Sequence, residues 1–182
     1  MYGATYPETW TFALDQRSTH MSLTTTTETE GPVLATPDAV DAVVAGFAHT
    51  EATPPEVRSL LDVSCMLLRM CVVHYEFAAI AVEKSLQALE RALRIHLAAG
   101  DKIPFAALVK RLPARGEISE ADVELIDAGR ELRNRLFAHP AQAIVLPLVM
   151  ATGLVASSHR LIGVLFPDAS TRAEPPLTSG ES

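Results

Sequence analysis

The residues Glu131-Leu132-Arg133-Asn134-Arg135-Leu136-Phe137-Ala138-His139-Pro140, with Arg130 just before them, gather three guanidinium groups, one amide and one imidazole within eleven positions. Those side-chain types suit phosphate chemistry. Arginine offers a planar fork of donors that holds a phosphate, and histidine exchanges a proton near neutral pH. Acting together they can cleave RNA without a metal. His139 would accept the proton of a ribose 2′-hydroxyl, the freed oxygen would attack the adjacent phosphate, and Arg133 would stabilise the developing charge. Asn134 would orient one of the two, and Arg130 and Arg135 would contact RNA. A plainer reading competes. The last turn of a helix carries partial negative charge, which stabilises Arg135 and a protonated His139 by roughly 0.3–1 kcal/mol each. Residue types alone leave both readings open.

Position on a helix constrains the first reading. Proline at 140 disfavours helical backbone at His139, so the helix is expected to end near Ala138. Arg133 and His139 are six positions apart, about 120° around an ideal helix axis. They converge only if His139 leaves the helix or if a second subunit completes the site.

The elements that must hold this stretch are helices. Hydrophobic residues make up 48% of the 182 residues and aromatics 5%; Ala, Leu and Val dominate, which favours packed helices over a β-sandwich. Residues 1–35, rich in Thr, Glu, Gly and Pro without periodicity, are expected to be a disordered tail. No basic segment or long apolar run precedes Arg17, as a signal peptide would require. Met21 offers a second start, so the first twenty residues are expected to be dispensable or to derive from an upstream start codon. Thr36-Pro37-Asp38 caps a short amphipathic helix over about 37–49, carrying Val40, Val43, Val44 and Phe47 on one face. With its linker it fills 36–54.

From Thr53-Pro54-Pro55 to Gly100 the chain has no internal Gly or Pro. One helix of that length would run about 65 Å, so a break at Val72-Val73-His74-Tyr75 is expected, giving helices over about 56–71 and 75–98 with Gly100 as the stop. A single long kinked helix is the alternative. A short helix follows over 104–112, then one opened by Ser119-Glu120-Ala121-Asp122, and a last one over about 144–166. The last carries no charge from 141 to 157, but Gln142, Thr152, Ser157 and Ser158 interrupt it. It reads as a buried bundle helix rather than a membrane span. Residues 168–182 read as a second disordered tail. The architecture expected is all-α: about four substantial helices plus one or two short ones, spanning 55–167.

The formal net charge is −7, which argues against a general polyanion-binding surface. Its distribution weakens that argument. Arg58–His139 holds twelve Lys/Arg against eleven Asp/Glu, so the acidity belongs to the flanks. Cys65 and Cys71 are about 120° apart on one helix and neither form a disulfide nor match a metal-binding spacing; a reducing, cytoplasmic compartment is the natural reading. No P-loop, catalytic triad, dinucleotide-binding turn or zinc motif is present, so neither metal nor cofactor is expected. His20, His49, His74, His96 and His159 read as structural or surface histidines.

Arg133-Asn134-Arg135-Leu136-Phe137-Ala138-His139 resembles the signature of the HEPN superfamily, an arginine, four to six residues, then a histidine, often with a polar residue directly after the arginine. Arg133 fits with five intervening residues; Arg135, with three, does not. The segment from Tyr75-Glu76-Phe77 through Leu86, Glu90 and Leu93 also resembles the long early helix of bacterial members. The resemblance covers roughly 55–167 and implies a four-helix bundle of HEPN type. It further implies a metal-independent endoribonuclease, working as a homodimer in which two motifs meet, and a toxin or defence effector with an antitoxin or regulatory protein as partner. The family also has non-catalytic members that bind RNA or proteins, which is the alternative for this chain. Glu76 and Glu83 are the acidic candidates of the early helix, with plain surface charge as the competing reading.

Overall fold

Thr36 starts the helical part of the chain as its sequence suggests. In the computed structural model, which describes residues 13–17, 20–23, 33–112, 118–138 and 146–168 without the side chains of 133 and 136–138, its hydroxyl accepts from the Ala39 N–H at 3.2 Å. Pro37–Ala45 form α1, and Val40 and Val44 are buried beneath it. The helix ends at Gly46, earlier than the expected 49.

Four long helices follow. They are α2 (Pro55–Met70), α3 (Phe77–His96), α5 (Glu120–Ala138) and α6 (Leu148–Leu165), with the one-turn α4 (Phe105–Val109) between α3 and α5. The protein is therefore mostly helical, as its composition implies. Thr53 does not cap α2. Its hydroxyl pairs instead with that of Thr50 at 3.0 Å, and Pro55 takes the first helical position. The long segment without Gly or Pro is broken where the β-branched residues weaken it, and 71–76 form a non-helical corner between α2 and α3.

The helix α3 is central, packing against α2, α6, α5 and α4. Its sequence explains why. Ala78, Ala81, Ser85, Ala88 and Ala92 recur every three or four positions and are buried. Small side chains let neighbouring backbones come close. At that seam the Ser64 hydroxyl of α2 donates to the Ala81 carbonyl at 2.7 Å, and the Ser158 hydroxyl of α6 donates to Ser85 at 3.2 Å. These bonds satisfy polar groups that burial would otherwise penalise.

Two apolar clusters share these helices. One holds Leu68, Val82, Leu86 and Val155 beneath α1; the other holds Leu61, Leu89, Leu93, Leu108 and Ile162 near α4. The helix α6 is long and apolar enough to cross a membrane by length and composition, yet 56% of it is buried. Its inward residues Ala151, Val155, Ser158, Leu161 and Ile162 are those of a core helix.

Two expectations are corrected. The helix α3 does not stop at Gly100: Leu97 is its cap and Ala98 turns left-handed, with φ of 47°. The Ala99 N–H returns to the Arg94 carbonyl at 2.9 Å, closing a Schellman turn without glycine. The N-terminal segment is not uniformly unstructured either. Ser22–Leu23 (β1) and Val33–Leu34 (β2) form an antiparallel pair, Ser22 opposite Leu34, and Leu23 is buried against α6. Asp15 and Arg17 also bind the α2–α3 corner. The C-terminal tail from 169 onward lies outside the described residues.

Candidate functional site

The helix α5 carries the arginine-rich stretch. Its start is a reciprocal box: the Asp122 N–H donates to the Ser119 hydroxyl at 3.2 Å, and the Ser119 N–H donates to the Asp122 carboxylate at 3.1 Å. Arg160 of α6 also binds Asp122. Hydrogen bonds from Arg160 and Ser119 keep that carboxyl below its ordinary value, although burial opposes them.

Gly129 marks the face of α5 turned to the bundle: a Cβ there would lie 3.4 Å from Leu86 of α3 and from Leu154 of α6, an ordinary contact distance, so α5 lies over the seam between them. Ile126 and Val123, on the N-terminal side, pack in the cluster near α4 and the end of α3, so α5 runs antiparallel to α3. Helical periodicity then splits α5 into two flanks. Leu125, Ala128, Leu132 and Arg135 face α6. Positions 126, 130 and 133 lie on the other flank, the same side of the seam as Glu83, Gln87 and Glu90 of α3.

That second flank is polar. Lys84 donates to the Gln87 side-chain carbonyl at 3.1 Å, and the Gln87 amide donates to Glu83 at 3.0 Å. Glu90 pairs with Arg94 at 2.6 Å. Arg130, half-buried, is held by Asp127 one turn earlier at 3.1 Å. Arg135 is 72% exposed and only loosely near Glu131, at 3.8 Å. Asn134 is exposed. Arg130 and Arg135 therefore project from opposite flanks of α5 and do not form one basic patch. Arg133 belongs to α5 by its backbone, but its side chain lies outside the described residues, as does all of His139. The distance between the two is thus not part of this geometry.

The α6-facing flank borders a cavity of about 470 Å³, walled by Leu125, Ala128, Leu132, Met150 and Leu154 with Glu131 and Arg135 at its rim. Met150 and Val149 are large apolar residues exposed nearby. A second cavity, about 800 Å³, separates α1 and the β1–β2 pair from α6, with Val43, Phe47, Ala156 and His159 in its wall.

His159 is the buried histidine that residue types alone do not single out. It is 4% exposed. Its Nε2 lies 3.4 Å from the Cys65 sulfur and its Nδ1 lies 3.3 Å from the Ala48 carbonyl. The carbonyl can only accept, so Nδ1 carries the proton and Nε2 accepts from the thiol. Burial pushes the His159 pKa down and the Cys65 thiol up. Both effects favour a neutral pair rather than a thiolate nucleophile, and the pair ties the chain after α1 to the bundle. Cys71 is likewise buried, its thiol pushed up to about 11 by desolvation, and the two cysteines form no disulfide.

Glu76 is not available to α5. It shares the α2–α3 corner with Asp15 and His74, whose ligand atoms lie within 4.8 Å of one another. Arg17 already fills the cation's role there, bonding Glu76 at 2.6 Å and Asp15 at 2.7 Å. Its fork, with the Tyr75 N–H, holds the Asp15 carboxyl well below the usual carboxylate range.

No family model, no curated protein and no solved structure matches this chain.

Proposed function

We propose that this chain is a metal-independent endoribonuclease of HEPN type, built on a four-helix bundle, with Arg133 and His139 as its catalytic pair. The single observation that carries the reading is the Arg133-Asn134…His139 spacing on a helix that ends at Ala138. Its support is architectural: the chain is mostly helical with four long helices, and Arg133 and Asn134 lie in the last two turns of α5. His139 takes the proton from the 2′-hydroxyl. The oxygen attacks the neighbouring phosphorus, the 5′-oxygen leaves, and a 2′,3′-cyclic phosphate remains. Arg133 stabilises the charge of that step, Asn134 orients the pair, and Arg130 and Arg135 contact the RNA backbone. The reading implies a homodimer in the cytoplasm, acting as a toxin or defence effector under an antitoxin or regulatory protein.

The test compares wild type with His139→Ala and Arg133→Ala on total RNA in the presence of a chelator. Wild type is expected to yield cyclic-phosphate ends, and each variant to lose roughly 10²–10⁴-fold in rate. Intact RNA at high wild-type concentration ends the proposal.

A second reading, a non-catalytic helical module of the same type that binds a protein or RNA, has its own observation. The apolar cavity between α5 and α6, with Met150 exposed beside it, fits a protein surface better than a phosphate backbone. Under this reading wild type forms a complex but cuts nothing.

A further inference from the structure

The N-terminal segment is tied to the base of α6 through one side chain. The Asp15 N–H donates to the Val72 carbonyl at 2.9 Å, and the Asp15 carboxylate accepts from the Tyr75 N–H at 2.9 Å. The helix α3 makes no side-chain capping bond of its own. The first-turn N–H groups of α3 bond the His74, Tyr75 and Glu76 carbonyls, so Asp15, sixty residues away in sequence, satisfies the Tyr75 N–H just before the helix and adds a negative charge near its positive end. Arg17 closes the arrangement. It forks between Asp15 and Glu76, at 2.7 and 2.6 Å, and its guanidinium lies 5.1 Å from the centre of the Tyr75 ring. Tyr75 is 5% exposed. On the far side of the ring system, its hydroxyl donates to the Leu146 carbonyl.

Leu146 is the last residue before Pro147, where α6 begins without a side-chain cap. The chain reaching it comes from α5, through residues 139–145, which include His139. The charged clasp and the start of α6 thus hold the two ends of a single buried tyrosine.

We propose that residues 15–17 are a strap that, acting through Tyr75, sets how firmly the chain is anchored at the start of α6, and so regulates the site at the end of α5. Tyr75 is a positioning residue in this scheme, and the strap acts only by fixing its ring. The regulatory half rests on the ribonuclease reading above; the mechanical half does not.

The test is a double-variant cycle on the full chain: Tyr75→Phe, which removes only the hydroxyl, Arg17→Ala, which opens the clasp, and the two combined. Amide hydrogen exchange is followed at Met150 and Ala151, whose N–H groups both bond the Pro147 carbonyl, with amides of α2 and α3 as internal references. Tyr75→Phe is expected to speed exchange at the start of α6 by between about 2-fold and 10-fold, the change in local opening that one net hydrogen bond gives. Arg17→Ala is expected to speed it by a smaller factor, and the combined variant to match Tyr75→Phe alone. Wild-type exchange at the start of α6 in Arg17→Ala overturns the strap, as do two factors that simply multiply. A rise spread evenly over α2, α3 and α6 also overturns it, because Tyr75 would then support the whole fold. On RNA, both single variants are expected to lower kcat with KM unchanged. A wild-type chain that cuts no RNA removes the ribonuclease reading and leaves the exchange cycle to decide the strap.

Discussion

Burial decides what His159 does. Its ring sits beside Phe47, 5.4 Å between centres, with a thiol on one nitrogen and a carbonyl on the other. Its pKa in the folded chain lies below the ordinary 6.5. As pH falls below about 6.5, the unfolded chain binds a proton that the folded chain refuses, so acid lowers stability until the folded-state pKa is passed. Replacing His159 with Gln is expected to flatten the stability–pH curve between about 6.5 and that lower value, measured by urea denaturation at several pH values. Leaving Cys65 and Ala48 without their partner adds a cost of about 1–3 kcal/mol at neutral pH. An unchanged slope would mean that His159 titrates freely in the fold. Nothing in sequence separates this histidine from His74, which is exposed and paired with Glu76 at 2.8 Å. The acceptors that define His159 come from residues 65 and 48, and no spacing rule connects them. The arginine-rich stretch is the opposite case. Its membership of one helix and its end near Ala138 follow from local rules, because Pro140 and the serine–aspartate start act within a few residues. That Arg130 and Arg135 point to different sides of α5 also follows from their five-residue spacing on a helix.

At the scale of elements, the ends of helices carry the clearest differences from what residue types suggest. Gly100 is the natural stop for α3, yet the chain turns at Ala98. Leu97, Ala99 and Ile103 pack against the cluster that holds Phe105, and the turn falls two residues before the glycine. An alanine there holds a backbone conformation that costs about 1 kcal/mol relative to glycine. Ala98→Gly is therefore expected to raise stability by up to about 1 kcal/mol, read as a higher thermal midpoint without loss of helix signal by circular dichroism. A lower midpoint would show that the Ala98 side chain contributes packing that outweighs its strain. The same balance of local and distant forces appears at the N-terminus. The composition of 1–35 predicts disorder because the segment has little apolar surface, and locally that argument is sound. Leu23 buries itself against α6, and Arg17 finds Glu76 fifty-nine positions away. Those partners exist only after the bundle has formed.

For the whole molecule, α2, α3 and α6 each carry residues of both apolar clusters, with α3 between the other two. Val82 and Leu86 belong to one and Leu89 and Leu93 to the other, all on a helix that touches each long neighbour. The two halves are thus expected to unfold together. Leu68→Ala and Leu93→Ala, one in each cluster, should each cost about 2–5 kcal/mol and shift one common transition. Differential scanning calorimetry checks this: a second resolved transition in either variant would mean that the clusters are separate cooperative units. The cavities fit the same picture. The helices α5 and α1 flank α6 without filling the space beside it, and the outer face of α6, rich in Gly, Ala and Ser, leaves the two hollows.

By itself the sequence determined the helices: their number, their inward faces, the break near Val72 and the caps at Thr36 and Ser119. Each of these depends on side chains within a turn or two of one another. It also gathered Arg130, Arg133, Asn134, Arg135 and His139 within ten positions at and just beyond the end of α5. Tertiary structure decided which polar groups meet. It put Glu76 in a clasp with Arg17, buried His159 on Cys65, and joined Tyr75 to the Leu146 carbonyl ahead of α6. Those outcomes depend on helix packing angles and on contacts between residues far apart in the chain, and periodicity carries no information about either.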